Sequence, residues 1–216
     1  MSSCTEESDE EMDFVFDDDK SLTTFHINIP YHVYQKMKPI QVEYGNGRNT
    51  RKYSVLKPGV WSNIIFDEFV KIHKLPCCYI FKRCKVYISE SAQHFLVFNA
   101  TCKDEKCYAK LKGIAVKRPL EDQPLKLIIK TKDTRGVIHN IHLKRNLNGE
   151  KRYSVGENLQ HLRANTWRKD QIRKKCDFGD IIPPNIYQTN VLRKAKQEFR
   201  DQKLGIVIKN PILSLV

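Results

Sequence analysis

Between residues 79 and 143 the chain alternates short apolar runs with turn signals, and no stretch between them is long enough for a helical crossover. The runs cover 79–89, 95–101, 109–116, 125–131 and 137–143. Glu90-Ser91, Lys103-Asp104-Glu105, the stretch 118–124 and Lys132-Asp133-Thr134-Arg135-Gly136 separate them. Parallel neighbours need a connection of about a dozen residues or more, so strands this close together must run antiparallel. The expectation is an antiparallel β-meander.

Around it the pattern changes. Phe25, Ile27 and Ile29 alternate and predict a short strand ending at Pro30. The run Gly45-Asn46-Gly47-Arg48-Asn49, between 41–44 and 52–56, predicts a hairpin. Trp61, Ile64, Ile65, Phe69 and Ile72 recur three or four apart, which predicts a helix over 61–74, stopped by Pro76. Segments 155–175 and 190–202 have helical patterns dense in cations, separated by the breaker Gly179-Asp180-Ile181-Ile182-Pro183-Pro184. The fold class is therefore α+β. Its expected parts are an acidic head (1–20), an N-terminal arm with hairpin and helix (21–75), a zinc-stapled sheet (76–150), and a basic helical region with an apolar tail (151–216).

Charge is distributed unevenly. Nine of the 25 acids precede Lys20, so 38 Lys and Arg face 16 acids from there on. The head has too few apolar residues to offset its ordering entropy and reads as disordered. It also offers an acidic surface to a protein partner. The basic body suits a polyanion, because releasing condensed counterions favours binding to a phosphate backbone. DNA is the favoured partner, with RNA the alternative. No apolar run approaches the roughly 20 residues needed to span a bilayer, so no membrane role is expected.

The seven cysteines are an odd number, and no secretory signal opens the chain, so metal ligation or burial is expected rather than disulfides. Cys102 and Cys107 bracket a tight turn between two expected strands, and His139 and His142 lie on the last one. Two thiolates and two imidazoles make a tetrahedral donor set suited to zinc. Cys84 or Cys78 remains the alternative for one of the histidines. Catalysis is not expected, since the acids after Lys20 are scattered and no Gly-rich phosphate loop or Gly-x-Ser-x-Gly elbow is present.

Aromatic residues before the first cysteine (Phe95 to Cys102), the Cys-x4-Cys pair and the closely spaced histidines resemble the WRKY and FLYWCH group of zinc-bound β-sheet DNA-binding domains. The sequence is also similar to relatives found beside Mutator-like transposases, including insect transposon-derived proteins. The resemblance covers roughly residues 75–205. The 31 residues between Cys107 and His139 exceed that group's spacing, which implies a longer hairpin around 117–124. The histidines are three apart rather than two, so a bulge or strand end at Asn140 must bring them together. This sequence has no WRKY heptapeptide and lacks the FLYWCH tryptophan. The resemblance implies a nuclear protein that reads DNA with a strand of the sheet. Lys82, Arg83 and Lys85 are then candidate readers, and Lys110 and Lys112 candidate phosphate contacts. A second basic run, with Arg168, Lys169, Arg173, Lys174 and Lys175 on an expected helix, suits DNA docking or nuclear import.

Overall fold

The computed structural model describes residues 21–44, 51–89, 91–140 and 142–206. The acidic head with its reading as disordered, the turn at 45–49 and the apolar tail at 209–216 lie outside them. The protein is α+β. Its elements are β1 (Thr23–Ile29), the short helix α1 (Tyr31–Tyr34), β2 (Pro39–Tyr44), β3 (Arg51–Leu56), α2 (Trp61–His73), β4 (Tyr79–Val86), β5 (Leu96–Cys102), β6 (Lys110–Ala115), β7 (Leu125–Thr131), α3 (Gly149–Asn158), α4 (Ala164–Lys175) and α5 (Thr189–Lys203).

Strands β4 to β7 form the expected meander, with the long β6–β7 hairpin. The fifth strand is not the expected one. β1 pairs antiparallel with β7, from Thr23↔Thr131 to Ile29↔Leu125, giving the order β1-β7-β6-β5-β4. The edge of β7 is thereby taken, and the described residues 137–140 and 142–143 form no strand. The apolar side chains that suggested a strand there, Val137 and Ile138, are exposed. β1 and α2 share one core with the meander, so 21–75 and 76–150 meet in a common hydrophobic cluster.

That core lies on one face of the sheet. Alternation places Phe25, Ile27, Ile29, Leu125, Leu127, Ile129, Leu111, Leu96 and Phe98 toward α2, where all are buried. Helix α2 answers with Trp61, Ile65, Phe66 and Phe69. Its rings meet the sheet edge to face: Trp61 on Phe81 at 5.4 Å and Phe69 on Phe25 at 5.7 Å between centroids. A register shift between Phe81 and Arg83 makes a bulge at Lys82. This bulge resets the alternation, so Cys84 pairs with Phe98 and Val86 with Leu96. The hairpin β2–β3 packs beside β4.

The expected helical stretch 155–175 is two helices. Leu159, buried at the C-cap of α3, joins Leu147, Val155, Tyr187, Leu192 and Ala195 in a second core. Arg145 ties this unit to the sheet layer. Its guanidinium lies 4.4 Å from the Phe66 ring centroid and 5.2 Å from that of Phe81, and donates to the carbonyls of Tyr79 and Ser62. Lys151 and Asn185 both reach the Asp67 carboxylate on α2, at 2.6 and 2.7 Å.

Gly113 sits opposite Phe98 on the core face, and a Cβ there would lie 2.0 Å from the Phe98 ring. Gly113→Ala must displace that ring from under α2, at a cost of about 1–3 kcal/mol. Urea unfolding should show the loss as a lower midpoint at unchanged slope; an unchanged midpoint would contradict this account of the core.

Candidate metal centre

At the end of the sheet where β4 begins, β5 ends and β6 begins, the Sγ atoms of Cys77, Cys102 and Cys107 and a ring nitrogen of His139 all lie within 4.8 Å of one another. Each arrives for a local reason. Helix α2 ends on Lys74 in the left-handed conformation (φ 48°), and Pro76 prevents it from continuing, so the chain turns and Cys77 enters ahead of β4. Cys77 has the parity of Tyr79, whose register partner is Cys102, so both thiols sit at the rim of the core. The tight turn after Cys102 is closed by the Asp104 carbonyl, which accepts from the Cys107 N–H at 3.0 Å. Backbone bonds from Cys102 N to Ala109 O and from Lys103 N to Cys78 O, both 2.8 Å, hold the turn to its neighbours.

Cys77 Sγ lies 3.6 Å from Cys107 Sγ and 3.3 Å from His139 Nε2. A tetrahedral ion with bonds of about 2.3 Å to sulfur and about 2.0 Å to nitrogen places its sulfurs about 3.8 Å apart, and sulfur about 3.5 Å from nitrogen. Those two edges match the spacing of a tetrahedron, and all four donors lie within 4.8 Å of one another. His139 is buried, and its Nδ1 is 3.0 Å from the Val137 carbonyl. With the proton on Nδ1 donated to that carbonyl, the Nε2 lone pair is left for a metal.

The thiols are not equivalent. Hydrogen bonds from Cys77 and from the backbone N–H groups of Asp104 and Cys78 bring Cys102 down to about 5 against the opposing effect of burial. Sharing a proton with Cys102, together with burial, holds Cys77 up, and burial raises Cys107. Of the three thiols Cys102 is the one whose surroundings favour the thiolate, and a bound cation would displace the protons of the others. Asp104 braces the arrangement. It is buried, and its carboxylate accepts from Lys106 N at 3.1 Å and from Asn140 N at 2.9 Å, joining the cysteine turn to the histidine segment. Those two backbone donors hold its carboxyl below the usual carboxylate value.

Three of the four ligands expected from sequence, Cys102, Cys107 and His139, are brought together. His142 is not. It is exposed beyond the turn made by Asn140, whose Oδ1 accepts from its backbone N–H at 3.0 Å. Cys77 stands in its place. Neither alternative serves: Cys78 is buried outside the cluster, and Cys84 lies midway along β4, pushed up to about 12 chiefly by burial.

The candidate nucleic-acid residues divide. Arg83, Lys85, Lys110 and Lys112 occupy register positions on the sheet face opposite α2, and Lys82 is exposed at the β4 bulge. Lys126 and Lys130 on β7, not singled out from the sequence, belong to the same outward face. On α4, Lys169, Arg173, Lys174 and Lys175 are exposed, whereas Arg168 is half-buried and donates to the Tyr187 carbonyl at 3.1 Å.

Purified chain should retain one metal equivalent, lost in Cys77→Ser and His139→Ala and kept in His142→Ala, as read by elemental analysis. Asp104→Ala leaves all four donors in place and should weaken metal affinity by roughly 10–100-fold in a chelator competition. Metal retention by Cys77→Ser would reject this ligand set.

No family model and no solved structure matches the chain. It is similar to the "120.7 kDa protein in NOF-FB transposable element" of Drosophila melanogaster, at 29% identity over 170 residues. The matched region is 78% of this chain and spans only 15% of that much longer protein.

Proposed function

We propose that this chain is a zinc-dependent, non-catalytic DNA-binding unit of a transposon-derived protein, gripping the phosphate backbone with the outward face of its five-stranded sheet. The observation that carries the reading is a registered cationic row. Thr24, Lys130, Lys112, Asn99 and Arg83 stand abreast across β1, β7, β6, β5 and β4. Lys85, Lys110 and Lys126 flank the row, and no carboxylate occupies an outward position on any of the five strands. Lysines at this spacing can meet successive phosphates, which sets affinity and register, while base edges set sequence preference.

Zinc is the ion that a three-thiol, one-imidazole tetrahedron favours, and a closed four-ligand site stabilises structure rather than performing chemistry. A donor cluster for one such ion, at the end of an antiparallel meander, supports a likeness to the WRKY and FLYWCH group, with Cys77 in place of a second histidine. The similarity to a transposable-element protein points the same way. The non-catalytic reading rests on the carboxylates: Asp67, Asp133, Asp177, Asp180 and Glu198 are each engaged by cations, so they do not converge on an open metal site. A DNA role places the protein in the nucleus, with the exposed cations of α4 as an import or docking run. The acidic head remains the surface for a protein partner.

Binding to duplex DNA should weaken steeply with salt. Lys112→Ala combined with Lys130→Ala should reduce the slope of log K against log salt by about 1.8, at about 0.9 per phosphate contact. Fluorescence anisotropy across a salt series, with RNA as competitor, measures both. A flat salt response with wild-type protein would reject DNA binding and favour an adaptor for acidic protein partners.

A further inference from the structure

At the end of the sheet opposite the metal centre, a pocket of about 620 Å³ opens between the hairpin β2–β3, the β4–β5 loop and the start of the β6–β7 connection. Its walls combine two chemistries. Lys38, Lys117 and Arg118 bring three cations from two separate segments, and none forms an ion pair among the described residues. Tyr87 and His94 add aromatic rings beside the apolar Ile88 and Val116. No carboxylate lines it among the described residues.

The wall is fixed by the backbone. Tyr87 N donates to Phe95 O at 2.9 Å, and Phe95 N donates to Ala115 O at 2.9 Å and to Val116 O at 3.2 Å. These bonds continue the sheet ladder past the ends of β4, β5 and β6. Arg118 lies near the buried Tyr34 hydroxyl, which has no hydrogen-bond partner among the described residues. The His94 Nδ1 atom is buried and has no hydrogen-bond partner among the described residues. A buried polar atom of this kind costs free energy unless something supplies a partner.

We infer that this pocket binds a nucleotide 5′-monophosphate unit, with the phosphate among Lys38, Lys117 and Arg118 and the base against Tyr87 and His94. The volume suits a single nucleotide, since small-molecule pockets run about 300–1,000 Å³. Three cations with no ion pair among the described residues suit a dianionic phosphoryl group, and flat aromatic rings suit a base. The inference deepens the nucleic-acid reading and rests on it only for the source of the ligand. A phosphorylated strand end and a free nucleotide share this chemistry.

The test is titration of the full chain with deoxyadenosine 5′-monophosphate and with deoxyadenosine, followed by amide chemical shifts. The monophosphate should bind roughly tenfold or more tightly than the nucleoside, as expected for charge-assisted hydrogen bonds. Its shifts should centre on Tyr87, His94 and Val116. Lys38→Ala with Lys117→Ala, both exposed side chains, should abolish the preference while circular dichroism stays unchanged. Equal binding of the two ligands, no binding of either, or shifts centred elsewhere would overturn the inference. A second arm compares short single strands with a 5′-phosphate and a 5′-hydroxyl. Tighter binding of the phosphorylated strand identifies a nucleic-acid end as the source; equal binding, with monophosphate still held, identifies the free nucleotide. Because the monophosphate titration needs no duplex, its outcome is independent of whether duplex DNA binds.

Discussion

A five-stranded sheet covered by one thirteen-residue helix can bury only one of its faces, and the rest of this protein is arranged around that constraint. The aromatic layer of Phe25, Phe66, Phe69, Phe81 and Phe98 fills the covered side as far as α2 reaches. Beyond the helix ends the core thins out. At one end Cys77, Cys102, Cys107 and His139 stand where further apolar residues would otherwise be needed. At the other the hairpin β2–β3 leans over the sheet and leaves a pocket instead of closing it.

The four donors come from three separated parts of the chain: the exit of α2, the β5–β6 turn, and the segment after β7. An ion held there would close the loop from Cys77 to His139 in the folded chain only, so its binding free energy would add to folding stability. Asp104 shows how the same end is held without an ion. Its carboxylate satisfies Lys106 N in the cysteine turn and Asn140 N beside the histidine, so the two ligand-bearing segments already share a buried acceptor. A ligand set braced in this way loses less freedom on binding metal than one assembled from loose loops.

Much of this was legible in the sequence because alternation reports burial directly. The strands of the meander, the hairpin, α2 and the β1 alternation all follow from period 2 or period 3.6. What escaped was pairing between distant segments. Nothing local says that β1, which ends fifty residues before β4 begins, takes the free edge of β7; once it does, that edge is closed to a strand from 137–143, and His142 lies outside the site. Cys77 was within reach of the sequence. In a meander, the start of β4 must lie at the same end as the close of β5, and Cys77 has the parity of Tyr79, opposite Cys102. A ligand at a strand entrance is missed when only turns and strand interiors are searched. The face shared by Lys126 and Lys130 needed only the same parity argument, applied to β7.

The outward face has an energetic consequence of its own. Lys112 and Lys130 are direct register partners, and like charges directly opposite one another destabilise a sheet by roughly 0.2–1 kcal/mol. Carboxylates were available to relieve this. They lie elsewhere instead, on α2, α5 and the loop after α4: Asp67 with Lys151, Asp177 and Asp180 with Lys74, and Glu198 with Arg152. Acids therefore hold the helical unit together and join it to α2, while the open sheet keeps its repulsion. A solvated surface with no partner would gain stability from interleaved signs. On a surface that meets a polyanion, separated signs favour binding, since each lysine that contacts a phosphate can release a counterion. The same segregation gives this protein ion-paired helices beside a sheet face whose five strands carry no carboxylate at an outward position.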